Sequence, residues 1–365
     1  MGKSFLFSPG PVMVSDDVRS ALMHYDICHR SAEFEEMYAA LRGKITALFE
    51  ANGSYDSFIV SGSGTSANET VLSSLFDPKE QILLVRNGVF GDRLLEIVNK
   101  YKIPLVDLAF EWASPPDISR IEAALIENPG ITVVATVYHE TSTGLINPIR
   151  EIGELCEKYS KIFFVDCVSA LAGEYVNLPD EKITIATSVG GKCVGAFPGT
   201  AYVCAKKDLL ESIPVARGKT VYLNIGKLYN EARDKNQTPN TPNVNLLWGL
   251  DAAISNILSE GIENRIARYK RCAAILRKGL KGLGLNLLLD DKARMSNTVT
   301  SVFLPEGVDL SAFIRDMEGA GYTVYEGKGT YQAMGMFQVA NMGEIYEGDC
   351  ERFLTALSTV LDGRT

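Results

Sequence analysis

Residues 161–199 read KIFFVDCVSALAGEYVNLPDEKITIATSVGGKCVGAFPG. Two runs rich in β-branched and aromatic residues, Lys161–Asp166 and Ile183–Ser188, predict two successive strands. The first run ends in Asp166, and the second leads through small residues to Lys192. In an α/β protein, ligands bind at the carboxyl ends of the parallel strands. The stretch therefore predicts that an acid and a lysine lie at one ligand-binding crevice.

On either side of this stretch, the sequence alternates short strand-like runs with amphipathic helical stretches. Such alternation is typical of an α/β fold with a mainly parallel sheet covered by helices on both faces. One run, Ile131–Tyr138, is almost continuously apolar, as expected of a strand buried on both sides. Seven strands are predicted, over Ser57–Ser61, Gln81–Arg86, Pro104–Leu108, Ile131–Tyr138, Lys161–Asp166, Ile183–Ser188 and Thr200–Ala205. Helices are predicted between them, over Thr65–Leu75, Phe90–Tyr101, Ile118–Asn128 and Pro148–Tyr159.

The pattern changes near residue 240, where long helices replace the regular alternation. Helices are predicted over Val244–Glu260, Glu263–Leu283, Leu310–Ala320 and Gly348–Leu361, and strands over Thr298–Leu304, Tyr322–Tyr325 and Met336–Ala340. We therefore predict three parts. Residues 1–20 form an N-terminal segment that packs with the small domain, and residues 21–243 form the large domain. Residues 244–365 form a smaller α+β domain that begins with a long helix.

Composition excludes several classes of protein. The 365-residue chain carries a formal net charge of −9, and an acidic surface repels nucleic acid and anionic lipid, so neither is an expected partner. No apolar run approaches the roughly 20 residues of a membrane helix, and the N-terminus lacks the apolar region of a signal peptide. Seven cysteines without a C-x-x-C pair, and three histidines without metal-ligand spacing, indicate reduced thiols in a cytoplasmic protein that holds no metal.

The lysine and the acid of the opening stretch each have an ordinary and a functional interpretation. Lys192 lies between two glycines and the apolar pair Cys193 and Val194, with no other charge close in sequence. Most lysines are exposed surface groups, but a desolvated lysine has a lowered pKa and is nucleophilic. Asp166 is either a turn former or a carboxylate that binds the pyridinium nitrogen of a cofactor. In the second case it keeps the ring protonated, so that the ring acts as an electron sink.

Three more segments follow predicted strands and have a similar choice of interpretations. Ser61–Thr65 is either a plain glycine turn or a phosphate cradle in which glycines and a helix start bind an anion. His139–Gly144 is either a polar loop or the source of Thr143, which would bond to a phenolic oxygen of the cofactor. Phe90 is either a core residue or an aromatic side chain that stacks on a ring.

Together these segments resemble the class V aminotransferases over nearly the whole chain. The likeness is carried by Ser8–Pro11, Gly62–Thr65, Asn87–Gly91, Glu140–Pro148, Val165–Ser169, Lys192–Val194 and Phe197–Gly199. Within this class, Leu287–Asp291, Val324–Lys328 and Phe337–Tyr346 are most similar to the 2-aminoethylphosphonate–pyruvate transaminases. The stretch Cys28–Phe34 is more similar to the alanine–glyoxylate branch.

The resemblance implies a transferase of fold type I that depends on pyridoxal 5′-phosphate (PLP) and forms a homodimer with shared active sites. It implies that Lys192 bonds to the cofactor and carries protons, and that Asp166 binds the pyridinium nitrogen. The other implied cofactor contacts are Ser63, Gly64 and Thr65 around the phosphate, Thr143 on the phenolic oxygen, Phe90 on the ring face, and Thr241 on the phosphate of the neighbouring subunit's cofactor.

Two positions depart from the pattern of the family. Where its members usually carry an arginine that clamps the acid group of the substrate, this chain has Gln338. Gly191 replaces the Asn or Gln that commonly precedes the lysine, so phosphate binding depends on Ser188, Thr241 and the backbone. Candidates for the missing charge, each more commonly a surface or structural cation, are Arg30, Arg217 and Lys328.

The sequence therefore predicts a transaminase, with 2-aminoethylphosphonate or a related small amine as donor and pyruvate or another keto acid as acceptor. One alternative is a PLP-dependent lyase or decarboxylase, which needs a single substrate-binding mode and is less affected by the loss of the arginine. An aminotransferase of the alanine–glyoxylate or serine–glyoxylate type is another. A protein of this fold that binds a ligand without turnover is disfavoured by the intact Lys192 and Asp166.

Overall fold

A computed structural model describes residues 4–51, 53–77 and 79–363, so residues 1–3 of the predicted N-terminal segment lie outside the described residues. The strands are β1 (Phe5–Leu6), β2 (Tyr55–Gly62), β3 (Gln81–Arg86), β4 (Leu105–Ala109), β5 (Ile131–Val137), β6 (His139–Glu140), β7 (Leu145–Ile146), β8 (Ile162–Asp166), β9 (Ile185–Val189), β10 (Gly199–Lys206), β11 (Asn286–Leu287), β12 (Val299–Phe303), β13 (Tyr322–Thr323), β14 (Tyr325–Glu326) and β15 (Met336–Ala340).

The helices lie between these strands and after them. They are α1 (Asp16–Ala21), α2 (Ala32–Leu48), α3 (Gly64–Ser74), α4 (Val89–Lys100), α5 (Ile118–Glu127), α6 (Ile149–Lys158), α7 (Lys207–Ser212), α8 (Ile225–Lys235), α9 (Val244–Glu260), α10 (Ile262–Gly282), α11 (Leu310–Gly319), α12 (Thr330–Ala333) and α13 (Glu347–Asp362), with a short 3-10 turn at Val215–Arg217.

The large sheet confirms the predicted α/β fold. Among the described residues it has seven strands in the order β2-β10-β9-β8-β5-β3-β4. β10 runs antiparallel to both of its neighbours, and the remaining pairs are parallel. β5 reads ITVVATV, and nearly all of it is buried, because helices cover both faces of a sheet of this kind.

The register of this sheet brings the ends of β8 and β9 together. Asp166, the last residue of β8, pairs with Thr187 of β9. Three residues after β9 ends, the chain reaches Lys192. The acid and the lysine therefore lie at the same edge of the sheet, as predicted from their positions after successive strands.

A second, smaller body is built on a four-stranded sheet in the order β11-β12-β15-β14. The N-terminal segment joins it, because β1 pairs with β13 in parallel and the side chains of Phe7 and Met13 are buried in its core. The predicted strand Tyr322–Tyr325 is wrong in detail. The chain forms two short strands there, because β13 pairs with β1 whereas β14 pairs with β15.

The predicted boundary at residue 243 stays a prediction, and the packing of α9 favours a later one. Leu247, Leu250 and Ile254 of α9 are buried in the core of the large sheet. Within α10, Tyr269 belongs to that same core, whereas Cys272 belongs to the core of the smaller body. The change of core thus falls within α10, a helix that runs continuously from one body to the other.

Candidate active site

A cavity of about 300 Å³ opens at the edge of the large sheet where β8 and β9 end. It is lined from several elements, among them the start of α3, the first turns of α4 and the connection between β9 and β10. The lining residues that carry chemistry are Ser63, Asn68, Phe90, Arg93, Asp166 and Lys192. The N-terminal segment closes one side with Gly10 and Pro11, so distant parts of the chain meet here.

Lys192 lies beneath this N-terminal segment. Its Nζ donates a hydrogen bond to the carbonyl oxygen of Pro9, and a methyl group at Gly10 would lie 2.6 Å from that nitrogen. The hydroxyl of Tyr325 donates to the carbonyl of Gly10 at 2.8 Å and so ties the segment to the small body. Burial lowers the pKa of Lys192, which makes the neutral amine more accessible.

Asp166 is 5% exposed and has both carboxylate oxygens in hydrogen bonds. Oδ1 accepts from the backbone N–H of Val168 at 2.9 Å, and Oδ2 accepts from Nδ2 of Asn68 at 2.7 Å. Burial raises the pKa of Asp166, while these two donors and the cations Arg93 and Lys192 act against the shift. Each oxygen keeps a lone pair for one more donor.

The start of α3 has the features of an anion site. Its N-cap residue Ser63 makes no side-chain capping bond, and the first N–H groups of a helix, here those of Gly64 and Thr65, have no partner within the helix. A methyl group at Gly64 would lie 2.6 Å from Cγ2 of Val168. Glycine is therefore required for the helix start to lie this close to the end of β8.

Phe90 is placed by a buried acid that the sequence reasoning missed. The carboxylate of Glu140 accepts from the backbone N–H groups of Phe90 at 3.3 Å and Gly91 at 3.1 Å. It therefore caps the first turn of α4, where negative charge is favourable. Burial raises the pKa of Glu140. An acid directly after a predicted strand was the signal available in the sequence.

Other predicted site residues lie in contacts of their own rather than on the cavity wall. The hydroxyl of Thr143 donates to the carbonyl of Glu140 at 3.2 Å, and that of Ser188 donates to the carbonyl of Cys167 at 3.2 Å. Gln338 is buried, and its Nε2 donates to the carbonyl of Thr141 at 2.7 Å and to Ser301 Oγ at 3.0 Å. The amide donor of Gln338 is thus already engaged within the protein.

Arg30 and Thr241 are not on the wall of this cavity; Arg30 contacts the loop that contains Thr241. The guanidinium of Arg30 donates to Oε1 of Gln237 at 2.6 Å and to the carbonyl of Thr238 at 2.7 Å. Thr241 lines a separate, small crevice formed by the same loop. Their roles toward substrate and cofactor stay predictions.

Asn68 and Arg93 also line the cavity but were not predicted. Asn68 lies within α3 among several other polar residues, so its type gave no signal in the sequence. Arg93 follows Phe90 by one turn, with its guanidinium 4.9 Å from the centroid of that ring.

In the described part of the chain, no group of three or more His, Cys, Asp or Glu side chains is placed to hold a metal ion. No helix there is both long and apolar enough to span a membrane.

A buried acid and a half-buried lysine at neighbouring strand ends, beside a glycine-rich helix start, are the arrangement expected of PLP-dependent enzymes of fold type I. The class V aminotransferase model matches residues 5–343, and the chain belongs to this family. It is therefore a PLP-dependent aminotransferase. The cavity suits this cofactor, because it combines unpaired helix N–H groups for a phosphate, a desolvated amine for an aldehyde and a buried carboxylate for a ring nitrogen.

Relatives match the chain almost from end to end. An uncharacterized aminotransferase of Methanocaldococcus jannaschii is 34% identical, over 93% of this chain and 88% of its own. A 2-aminoethylphosphonate–pyruvate transaminase of Salmonella schwarzengrund is 30% identical, over 98% of this chain and 97% of its own. The crystal structure of ureidoglycine–glyoxylate aminotransferase from Bacillus subtilis superposes with a TM-score of 0.93 at 25% identity, over 100% of this chain and 94% of the other.

Proposed function

We propose that this aminotransferase moves the amino group of 2-aminoethylphosphonate, or of a related small amine, to pyruvate or another keto acid. The observation that carries the proposal is the match to the Salmonella transaminase of that name over nearly the full length of both chains. The cavity supports a small substrate, because its volume of about 300 Å³ must hold the cofactor as well as the substrate, whereas ligand pockets range over roughly 300–1,000 Å³.

The cavity residues and the cofactor would have different roles in the reaction. When bound, PLP supplies an electron-poor ring that takes up the electron pair left on the substrate carbon. Lys192 would hold the cofactor before the substrate arrives, and would then carry the proton that leaves the substrate carbon. Its lowered pKa suits this task, because a general base must be unprotonated at the working pH. Asp166 would accept a hydrogen bond from the ring nitrogen, and Phe90 would cover one face of the ring.

The phosphate of the cofactor would lie at the start of α3. Ser63, Gly64 and Thr65 line the cavity there, and backbone N–H groups with the positive end of the helix dipole favour an anion at that point. Thr143, Ser188 and Thr241 stay proposed contacts. For Thr241, we propose that it acts across a homodimer interface, since it lies in the loop near Arg30 rather than on this cavity.

Gln338 does not supply the group that would bind the acid group of the substrate. It is neutral, and its donor is already bonded to Thr141 and Ser301, so it cannot provide a bidentate clamp. The cations on the cavity wall, within the described residues, are Arg93 and Lys192. A phosphonate or carboxylate would therefore be recognised by a different arrangement from the one that the family pattern predicts.

A second candidate function is an aminotransferase with glyoxylate as the acceptor. It is favoured by the close superposition with the glyoxylate-dependent enzyme from Bacillus subtilis. Both candidates share the first half of the reaction, in which the donor leaves its amino group on the enzyme. They differ in which keto acid takes the amino group away.

The test is a single-turnover absorbance experiment on the PLP-loaded enzyme. It is mixed separately with 2-aminoethylphosphonate, alanine, serine and glutamate, and pyruvate or glyoxylate is then added. Loss of the cofactor's visible band with 2-aminoethylphosphonate, and its return with pyruvate, is the expected result. Return with glyoxylate alone supports the second candidate. A band that persists while product accumulates from donor alone contradicts both, and indicates a lyase.

A further inference from the structure

Two buried polar side chains, Asn68 and Thr187, form a hydrogen-bonded series that leads away from the carboxylate of Asp166. Asn68 Nδ2 donates to Oδ2 of Asp166 at 2.7 Å, and the hydroxyl of Thr187 donates to Oδ1 of Asn68 at 2.6 Å. Asn68 is 3% exposed and Thr187 is fully buried. Buried polar groups of this kind persist when each is satisfied by the next.

The order of these hydrogen bonds fixes the orientation of the Asn68 amide. The Thr187 hydroxyl has one proton, which it donates to Asn68. The backbone carbonyl of Thr187 accepts a separate hydrogen bond, from the N–H of Cys167 at 2.9 Å. With that hydroxyl proton on its Oδ1, Asn68 must turn its NH₂ group toward Asp166. The three residues come from three elements, α3, β9 and β8, so the arrangement is set by the packing of α3 on the sheet.

We infer that Asn68, oriented by Thr187, is a positioning residue that holds the carboxylate of Asp166 in the rotamer and charge state required by the ring nitrogen of the cofactor. The inference rests on the proposed role of Asp166. Together with the N–H of Val168 on Oδ1, the Asn68 donor fixes both oxygens. One lone pair on each oxygen is left to accept from the ring, and a rotation of the carboxylate would break two bonds.

The charge of Asp166 is set by the groups that face it from each neighbouring element. Arg93 on α4 and Lys192 on the β9–β10 connection favour the ionised form, whereas burial opposes it. The adjacent thiol of Cys167 is neutral, since burial raises its pKa. Hydrogen bonds from Asn68 and Val168 also favour the carboxylate. Removal of the Asn68 donor would therefore make Asp166 more readily protonated and the ring nitrogen less so.

The variants that test this are Asn68→Leu, Thr187→Val and the double substitution. Thr187→Ser keeps the hydroxyl and is the conservative variant. The matched control is Thr70→Val, which removes a buried hydroxyl from the same helix, bonded there to the carbonyl of Ser66 at 2.7 Å. Should Asn68→Leu fail to fold, Thr187→Val tests the same series of hydrogen bonds through a nearly isosteric change.

The main readout needs no substrate, so it is independent of the proposed donor and acceptor. The visible band of the bound cofactor is followed against pH. We expect Asn68→Leu to move the midpoint of its transition upward by at least about half a pH unit, because a less positive ring holds protons on conjugated groups more tightly. Thr187→Val should move it in the same direction by less, and Thr187→Ser and Thr70→Val should leave it in place.

Kinetics with whichever donor is active give the second readout. We expect kcat to fall by about tenfold to a hundredfold in Asn68→Leu, the scale of one hydrogen bond to a charged group, with little change in KM. The double variant should resemble Asn68→Leu, because Thr187 acts through Asn68. A wild-type midpoint and kcat in folded, cofactor-loaded Asn68→Leu, or strictly additive effects in the double variant, would overturn the inference. Failure of 2-aminoethylphosphonate as donor, with the midpoint shifted, would overturn only the proposed substrate.

Discussion

Single residues of the active site are distinguished less by their type than by the groups around them. Lys192 has a lowered pKa because it is buried beneath Pro9 and Gly10, and Asp166 is held by two donors although burial disfavours its charge. Gln338 shows the opposite case. It stands where a substrate-binding group was predicted, yet its amide is used to join β15 to the loop at Thr141.

The role of Lys192 can be compared with that of Lys219, a more exposed lysine whose pKa is shifted in the same direction. Lys219 also has a pKa lowered by burial, and its Nζ donates to the carbonyl of Tyr101 at 2.6 Å. It lines a different cavity, however. We expect Lys192→Ala to reduce turnover by about 10²–10⁴-fold, the scale of a positioned acid–base group. Lys219→Ala should keep wild-type turnover. Equal losses in the two variants, measured by steady-state kinetics, would show that Lys192 has no special role.

Gln338 is expected to matter for stability. Gln338→Leu leaves the carbonyl of Thr141 and the hydroxyl of Ser301 without their donor inside the protein. Because a buried group without a partner costs about 1–3 kcal/mol, the free energy of unfolding in urea should fall by that amount. Gln332→Leu, at an exposed position on α12, is the control and should have little effect. A result for Gln338→Leu within 0.5 kcal/mol of the wild type, roughly the scale of a surface substitution, would contradict this account.

At the scale of elements, the active site is made by helices whose first turns point at the ends of strands. α3 begins two residues after β2 ends and comes close to Val168, while α4 begins against the buried carboxylate of Glu140. The start of α3 can direct its N–H groups toward the cavity because Gly64 allows the close approach, whereas the first N–H groups of α4 are bonded to Glu140 and Ser142. The positions of these two helices therefore decide what the cavity can bind.

The approach of α3 to the end of β8 predicts an effect of a single methyl group. Gly64→Ala would place its Cβ 2.6 Å from Val168 Cγ2, so the helix start must shift. We expect the affinity for PLP to fall by about tenfold or more, measured by equilibrium titration of the apoenzyme. Gly43→Ala is the control, since nothing lies within 4 Å of its added Cβ in α2. It should bind PLP normally and gain up to about 1 kcal/mol of stability. Normal PLP affinity in Gly64→Ala would mean that the close approach is unnecessary.

At the scale of the whole molecule, the two bodies meet around buried ionisable groups. Glu174, which follows the site segment after β8, accepts from the backbone N–H of Asn297 at 2.6 Å and from its Nδ2 at 2.5 Å. Burial raises the pKa of Glu174 from 4.5 to about 8. The contact between the large sheet and the segment before β12 thus depends on a carboxyl group that stays protonated near neutral pH.

This predicts a dependence of stability on pH. Because the pKa of Glu174 is higher in the folded than in the unfolded chain, its contribution is fully present below about pH 4.5 and is lost as the pH rises through about 8. The free energy of unfolding should therefore decrease between these values, by at most about 1.4 kcal/mol per pH unit from this group. Glu174→Gln should lack this component, whereas Glu154→Gln, at an exposed position, should retain it. Parallel pH profiles for wild type and Glu174→Gln would refute the assignment.

The proposed dimer gives a prediction about whole subunits. If Thr241 acts on the partner's cofactor, Lys192→Ala and Thr241→Ala chains that are inactive or weak alone should regain activity when unfolded together and refolded. A mixed dimer would then contain one site with both residues intact. Recovery of up to about one quarter of the wild-type activity follows from random pairing, because half of the dimers are mixed and each has one intact site. Refolded mixtures no more active than the average of the separate variants would place Thr241 and Lys192 in the same subunit's site.

The sequence by itself determined the α/β class, the sheet strands and the positions of Asp166 and Lys192. These follow from local patterns, since strand periodicity and small residues after a strand are properties of a few consecutive residues. The start of α3 was found in the same way, and family resemblance supplied the cofactor. The sequence did not predict that the chain passes from one hydrophobic core to the other only within α10, because the apolar pattern of α9 suits either body.

Only the tertiary structure decided which further side chains reach the site. Asn68 bonds to a residue 98 positions away, and Lys192 bonds to one 183 positions away. Such contacts leave no periodic trace in the sequence, because they depend on how α3 and the N-terminal segment pack against the sheet. Gln338 illustrates the same limit from the other side. The family pattern places a substrate-binding arginine at its position, and the pairing of β15 with β12 and β14 sets the amide of Gln338 against Thr141 and Ser301.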